Sequence, residues 1–574
     1  MERREMKKIE YTASDALTDA LVAAGVTHIF INSGTDYPPI IESWAKYEAT
    51  GKKKPEIIIS PHEYAALSAA QGYAQLTGKP AAVFVHVDVG TQNLGGAVHN
   101  AFRCRVPVYI LAGVSPFTME NELVGGRNAQ IQFLQDVGDQ AGIVRSYTKM
   151  NYELRSGKNV QQMVYRALQL AQSEPKGPVY TMAAREILEE EGRDIETDLR
   201  VWTPIAPGGL DDDSAERVVD ALLGAERPLI VTSYLGRNAE SVGELVKISE
   251  RLAVPVVEMN QYTMNFPGDN NMHLGFDAHS LIKDADLILV IDSDVPWVPA
   301  IAKPKDSCRV FYIDSDPIKE HMLLWYIPSE RFMKADSGAA LKQLNKGLEN
   351  KHLEIIQDII EKRRKKVTAL HKEMRDCWAG TETDDGRLSS EFVVKCIREV
   401  IDDDTVILNE TISDHEAVEH HLPRNKPGTL FWSGGSSLGW HGGAAVGMKL
   451  ACPDKDVVAL TGDGTYIFSC PTAVYWMARK YNVPFMTVIF NNQGWNAPKL
   501  MTKNEHPDGY AAGTNAFWTS FNPPAQLDMI AAAAGDAVAR TVTEPKELKT
   551  ALLEGRQAVK DGRCAVINVM MAPV

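Results

Sequence analysis

Short apolar runs, each separated from the next by a helix-length stretch, recur along the chain and constrain its fold more than any other feature. The first four are His28 to Ile31, Glu56 to Ile59, Ala81 to Val87 and Val106 to Leu111. The segments between them are rich in alanine. Over 13–24, Ala13, Ala16, Leu17, Ala20, Leu21 and Ala24 fall on one helical face. A crossover between parallel strands needs a helix-sized connection, and those helices cover both faces of the sheet. The strands then lose their polar alternation and read as continuous apolar runs. The pattern predicts open parallel α/β sheets.

The same pattern appears twice more. After the loop-like stretch beginning Thr203-Pro-Ile-Ala-Pro-Gly-Gly come RPLIVTSY (227–234), VPVVEM (254–259), ADLILVIDSD (285–294) and CRVFYIDSD (308–316). A charged stretch over 343–376, with periodic Leu and Ile, predicts a long connecting helix. A third unit holds TVILNE (405–410), DVVALTGDG (456–464), PFMTVIFNN (484–492) and CAVINVMM (564–571). The 574 residues therefore divide into an N-terminal domain over 1–190, a central domain over 203–345, a helical linker over 346–385 and a C-terminal domain over 386–574.

Bulk properties remove several function classes. A net charge of −15 disfavours nucleic acid and anionic membrane surfaces as partners. No apolar run reaches the ~20 residues that span a bilayer. The opening MERREMKKIE is charged and lacks the apolar core of a secretory signal. Seven scattered cysteines with no C-x-x-C pair suit a reducing, cytoplasmic setting with neither a disulfide framework nor a zinc site.

Two polar clusters close two of the apolar runs in the third unit: Gly462-Asp463-Gly464, and Asn491-Asn492 one strand later. In open parallel sheets, ligands sit beyond the carboxyl ends of the strands. Gly462 and Gly464 permit tight turns and close backbone approach. Thr465 opens the next segment, where free amides and the helix dipole favour a phosphate. Asp463 and Asn492 offer the hard oxygens that Mg²⁺ prefers alongside phosphate oxygens and water. Each cluster alone reads as a common turn; together, one crossover apart, they read as a metal-bridged diphosphate site.

The GDG–NN pair resembles the motif of thiamine diphosphate enzymes. The three-unit layout resembles their acetolactate synthase and 2-oxo acid decarboxylase branch, with a pyrimidine-binding, a middle and a diphosphate-binding domain. The likeness implies thiamine diphosphate and Mg²⁺ as cofactors, with the metal on Asp463, Asn492 and the Gly494 carbonyl. It adds Ser413, Ser437, Leu438, Gly462, Gly464, Thr465 and Trp495 to the cofactor's surroundings. Leu438, in SGGSSLGWHGG (433–443), matches the bulky apolar residue placed under the bent cofactor. It further implies a homodimer or homotetramer with active sites shared between subunits.

Thiamine chemistry also needs a buried acid beside the cofactor's pyrimidine. Glu63 opens a nearly uncharged helix directly after an apolar run. By itself it reads as an N-terminal charge favoured by the helix dipole, worth ~0.3–1 kcal/mol. The family pattern of strand, Glu, small apolar helix and Gly72-Tyr73-Ala74 makes it the match for the family's activating glutamate. The stretch 85–113 resembles benzoylformate decarboxylase and puts His86 at that enzyme's active-site histidine. Thr35, in Asn32-Ser33-Gly34-Thr35, keeps a hydroxyl where that enzyme has serine, but the preceding proline is lost. A histidine suits proton transfer near pH 7. His62 and His99 are weaker candidates, and His28 reads as structural.

These residues imply cleavage or formation of the C–C bond next to a 2-oxo group: decarboxylation of a small 2-oxo acid, or acyloin ligation, with Glu63, His86 and Thr35 catalytic. Acetolactate synthesis from pyruvate is the alternative, though the methionine, arginine and tryptophan that usually shape that pocket are absent after Asn492. Trp495, Asn496 and Lys499 stand where a substrate mouth would be. A non-catalytic homologue is the rival from another class. A flavin-dependent one is a further possibility, but no Gly-x-Gly-x-x-Gly marks an FAD site in the central unit.

Overall fold

The computed structural model describes residues 9–196 and 198–573. Residues 1–8, most of the charged opening read as lacking a leader, lie outside the described residues, as do Thr197 and Val574. Three parallel sheets follow one another along the chain. The first uses His28–Ile31, Glu56–Ile59, Ala81–Val85, Val108–Val114, Asn151–Leu154 and Val179–Ala184. The third uses Val406–Glu410, Leu430–Phe431, Val457–Gly462, Met486–Asn491, Val538–Val542 and Ala565–Met570. Numbered within each sheet by chain order, both run second-first-third-fourth-sixth-fifth. The five-stranded middle sheet runs fifth-fourth-third-first-second, from Pro228–Thr232 to Arg331–Lys334.

This topology fixes where ligands can bind. In both outer sheets the winding reverses between the first and third strands, which opens a crevice at their carboxyl ends. In the N-terminal sheet that crevice receives the loop after Ile31 and the residue His86. In the C-terminal sheet it receives the loop after Glu410 and the Gly462-Asp463-Gly464 segment. Ala81–Val85 is buried along its whole length, as a strand covered on both faces should be.

The N- and C-terminal domains dock through two helices, Glu63–Thr77 and Trp440–Ala451. Glycines set how closely they approach. A Cβ on Gly447 would stand 1.9 Å from the Ala69 carbonyl oxygen, and one on Gly72 would stand 2.5 Å from that of Ala444. The central domain is tied to the first by a buried ion pair, Arg105 to Asp294 at 2.8 Å. Lys319 completes the cluster, 2.7 Å from Asp314 and 3.1 Å from Asp294.

The expected single connecting helix is broken. Ser337–Glu349 ends at Asn350, a 3₁₀ turn occupies Leu353–Ile356, and a 23-residue helix runs Gln357–Ala379. The apolar residues on either side of the break, Leu348 and Ile360, pack into the same central core. Core packing therefore turns the chain where the periodic Leu and Ile predicted a continuous helix.

Candidate active site

At the diphosphate end, Val457–Gly462 and Met486–Asn491 are hydrogen-bonded neighbours, with Gly462 opposite Phe490. Asp463 and Asn492 therefore leave adjacent strand tips. The buried Asp463 carboxylate accepts the Gly464 amide at 2.8 Å and the Gly494 amide at 2.9 Å. Burial raises its pKa despite the amides of Gly464, Gly494 and Gln493. Asn491 turns away: its amide donates to Asn568 at 2.9 Å, and its oxygen accepts the Gln493 amide at 3.1 Å. The Asn492 side-chain oxygen is buried and has no protein partner. A hard cation fits such an orphaned acceptor beside a carboxylate. No group of three or more His, Cys, Asp or Glu suited to a metal occurs among the described residues, so a cation here would rest on Asp463 with amide and carbonyl oxygens.

The glycines act differently from expectation. Helix Asp463–Phe468 starts at Asp463, so Thr465 lies inside its first turn rather than opening it. Neither Gly462 nor Gly464 adopts a left-handed φ. Gly464 is needed for space, since a Cβ there would lie 2.6 Å from the Trp495 indole nitrogen. Ser413 is exposed in the 3₁₀ turn Ile412–Asp414, and the charge of Asp463 reaches the neighbouring Asp414.

The loop before helix Trp440–Ala451 joins this end to the N-terminal domain. Glu410 accepts the Trp440 and His441 amides at 3.1 and 2.9 Å, a carboxylate at a helix N-terminus. Its other partner is the His441 ring at 2.7 Å. Leu438 is half-buried, and its carbonyl accepts the Tyr64 hydroxyl at 2.6 Å. Ser437 is held through its backbone by Asn100, at 2.8 and 2.9 Å. His99 contacts the Gly435 carbonyl at 2.9 Å and is held below its ordinary pKa by burial.

Glu63 is the first residue of its helix and only 6% exposed. His62 caps that helix, its ring accepting the Tyr64 amide at 3.1 Å. Asn93 donates to the Glu63 carboxylate at 3.2 Å. Gly90 leaves the carboxylate its room, because a Cβ there would stand 3.2 Å from Oε1. Gly90 also donates its amide to the His86 carbonyl at 2.7 Å. One helical turn thus separates the acid from His86.

His86 caps helix Val87–Arg103, and both its ring nitrogens are engaged. Nδ1 lies 2.6 Å from Asp36 Oδ1 and Nε2 lies 3.0 Å from Gln135 Oε1. Burial works against the imidazolium, yet the hydrogen bond and charge of Asp36, with Gln135 and Asp88, outweigh it and raise the His86 pKa. Thr35 is exposed next to Asp36, its carbonyl held by Arg185 at 3.3 Å. Arg185 also binds the Gly125 and Gly126 carbonyls, at 2.9 and 2.6 Å, and so pins the segment that leads to Gln135. Asp36, Asn93 and Gln135 were not foreseen. The signal for Asp36 was its place beside Thr35 at the switch point; Asn93 and Gln135 carried none.

Trp495 is 41% exposed and meets Phe521 edge-on at 5.0 Å. Lys499 sits 5.4 Å above the Phe517 ring, and Asn496 begins the helix Asn496–Glu505. His28 pairs with Glu56 at 3.4 Å and lies against Tyr73 in the sheet, away from these groups. At the strand ends of the central domain a cavity of about 560 Å³ is lined by Arg237, Asn238, Asp292 and Ser337. A flavin finds no support there. Arg237 is shared by Glu174 and Asp292, and Arg105 is bound by Asp294, so these buried cations already have acids as partners.

Comparison with known proteins adds to this geometry. Three family models match: "Thiamine pyrophosphate enzyme, N-terminal TPP binding domain" over residues 11–143, the central domain over 215–344 and the C-terminal TPP binding domain over 411–569. The acetolactate synthase large subunit of Buchnera aphidicola is 22% identical, covering 98% of this chain and 95% of that protein. Benzoylformate decarboxylase of Pseudomonas aeruginosa is 24% identical, covering 85% of this chain and 87% of that protein. Among solved structures, the thiamine diphosphate-dependent 4-hydroxybenzoylformate decarboxylase of Rhodococcus jostii RHA1 superposes with a TM-score of 0.79. It is 20% identical and covers 98% of this chain and 99% of that one.

Proposed function

Because the chain belongs to the thiamine pyrophosphate enzyme family in all three of its domains, we propose that it is a Mg²⁺-dependent thiamine diphosphate enzyme that breaks or makes the C–C bond next to the 2-oxo group of a small acid. Decarboxylation is the leading reaction. The observation that carries the reading is the buried, unpartnered Asn492 oxygen on the strand tip next to Asp463. Asp463, Asn492 and the Gly494 carbonyl would hold the metal. Gly462, Gly464, Thr465 and Ser413 would surround the diphosphate. Ser437 and Leu438 would face the middle of the cofactor, Trp495 would flank it, and Glu63 would meet its pyrimidine.

Thiamine diphosphate, when bound, supplies a nucleophilic thiazolium carbon and a sink for the electrons released as CO₂ leaves. The chain supplies proton control and shelter. Glu63, buried and oriented by Asn93, would present its carboxyl group to a ring nitrogen of the pyrimidine. His86, with Nδ1 committed to Asp36, would offer Nε2 to a developing charge on the substrate in place of its Gln135 contact. Thr35 adds an exposed hydroxyl at the same crevice.

Assembly as a homodimer or homotetramer is part of the proposal, with Glu63 of one protomer serving the diphosphate end of its partner. Ile467 and Phe468, just past Asp463, are 47% and 51% exposed, which supports a partner surface there. No described helix is long and apolar enough to cross a membrane. The seven free cysteines support a cytoplasmic setting.

Holoenzyme incubated with a panel of 2-oxo acids, with products identified by mass spectrometry, tests the reading. Aldehyde and CO₂, or acyloins, are expected. Acetolactate from pyruvate alone would favour the second reading, which the likeness to acetolactate synthase along 98% of this chain supports. Absence of turnover across the panel would overturn both.

A further inference from the structure

Asp36 is buried, carries no role in the reading above beyond its contact, and occupies a space that the surrounding backbone leaves for it. A Cβ on Gly34 would stand 2.2 Å from His86 Nδ1 and 2.8 Å from Asp36 Oδ1. A Cβ on Gly113 would stand 1.8 Å from Asp36 Oδ2. Two glycines, Gly34 in the loop after His28–Ile31 and Gly113 near the end of Val108–Val114, therefore make way for one carboxylate–imidazole pair. The Val87 amide donates to Asp36 Oδ2 at 3.4 Å, so the acid also meets the start of the helix that His86 caps. Asp36 is 4% exposed.

We propose that Asp36 is a positioning residue for the reaction: its carboxylate accepts the Nδ1–H hydrogen bond of the His86 imidazolium, fixes the ring, and leaves Nε2–H as the proton that is handed to substrate, after which the ring is neutral with Nδ1–H still on Asp36. The assignment rests on the reading of His86 as the proton-handling group. Gln135 Oε1, 3.0 Å from Nε2, occupies the direction in which that proton points. Acceptors on both nitrogens select the doubly protonated ring, since a neutral imidazole donates from only one. The charged groups around the ring agree. Asp36 faces it from the loop after the first strand and Asp88 from its own helix, and both favour the cation. Glu63 lies one turn away across Gly90, while Arg185 is turned to the Thr35, Gly125 and Gly126 carbonyls.

A hydrogen-bonded acid opposite a histidine raises the histidine's pKa, so removing its charge should reverse that shift. The direct readout is the His86 titration in the full-length chain. It is followed by NMR with ring-¹³C histidine and assigned by the signal missing from His86→Gln. In Asp36→Asn, which keeps the shape and removes the charge, the midpoint should fall by about 1–3 pH units. The alkaline limb of kcat/KM for the 2-oxo acid that the holoenzyme turns over should move down with it in Asp36→Asn. Coincident midpoints in wild type and Asp36→Asn would overturn the proposal. A uniform loss of kcat with no movement of the limb would mean that Asp36 is only structural, and would overturn it as well. Wild-type turnover in His86→Ala would instead remove the parent reading of His86, whatever the titration shows.

Discussion

Asn93 donates its side-chain amide to the Glu63 carboxylate at 3.2 Å, from the helix whose Gly90 leaves that carboxylate its space. The two helices thus present one buried acid at a fixed angle. Glu63→Gln keeps the shape and the Asn93 neighbour but cannot share an acid proton. Turnover should fall about 100- to 10,000-fold, the range for a positioned acid–base group, while thiamine diphosphate still binds. Steady-state kinetics with a parallel cofactor titration checks this; near-normal turnover would refute it.

The domain-docking helices allow little added volume. The Cβ of Gly447→Ala would meet the Ala69 carbonyl at 1.9 Å, and backbone cannot swing aside as a side chain can. The variant should lose about 1–3 kcal/mol by overpacking. Urea unfolding of wild type and variant measures it, and an unchanged midpoint would contradict the close docking.

The Arg105–Asp294–Lys319 cluster is expensive to break from one side. Asp294→Ala strands the buried Arg105, while Lys319 keeps Asp314 at 2.7 Å, and breaking a buried pair costs about 3–5 kcal/mol. Replacing an acid by a small apolar residue at an exposed site would cost far less, so chemical denaturation separates a buried network from a surface one.

His420 stacks on Trp378 at 4.1 Å, and burial lowers its pKa to about 4. The unfolded chain, with an ordinary histidine near 6.5, binds the extra proton first as pH falls. The stability His420 contributes is therefore complete above about pH 6.5 and is lost as pH falls from there to about 4. His420→Gln should flatten the fall in urea midpoint between pH 7 and pH 5; an equally steep fall would reject this role.

The fully buried strands were legible in the sequence because burial on both faces leaves an unbroken apolar run, as in Ala81–Val85. Three edge strands were not. Asn151–Leu154, Arg331–Lys334 and Val538–Val542 are partly exposed, with polar residues that read as loop. Val179–Ala184 was hidden for another reason: Thr181 interrupts its run and is paid off only in three dimensions, by Tyr109 at 2.8 Å. In the site, Asp463 and Asn492 could be read locally because both sit at strand tips. Asn93 and Gln135 act across helices and loops, where neither spacing nor composition records who their partners are.

Titration of thiamine diphosphate into the cofactor-free protein, with Mg²⁺ and with chelator, tests the central claim most directly when wild type is compared with Asp463→Ala and Asn492→Leu. Wild type should bind only with the metal, and each variant should bind at least about 10–100-fold more weakly, the loss typical of disturbing a metal site. Equal, metal-independent affinity in all three proteins would contradict the account.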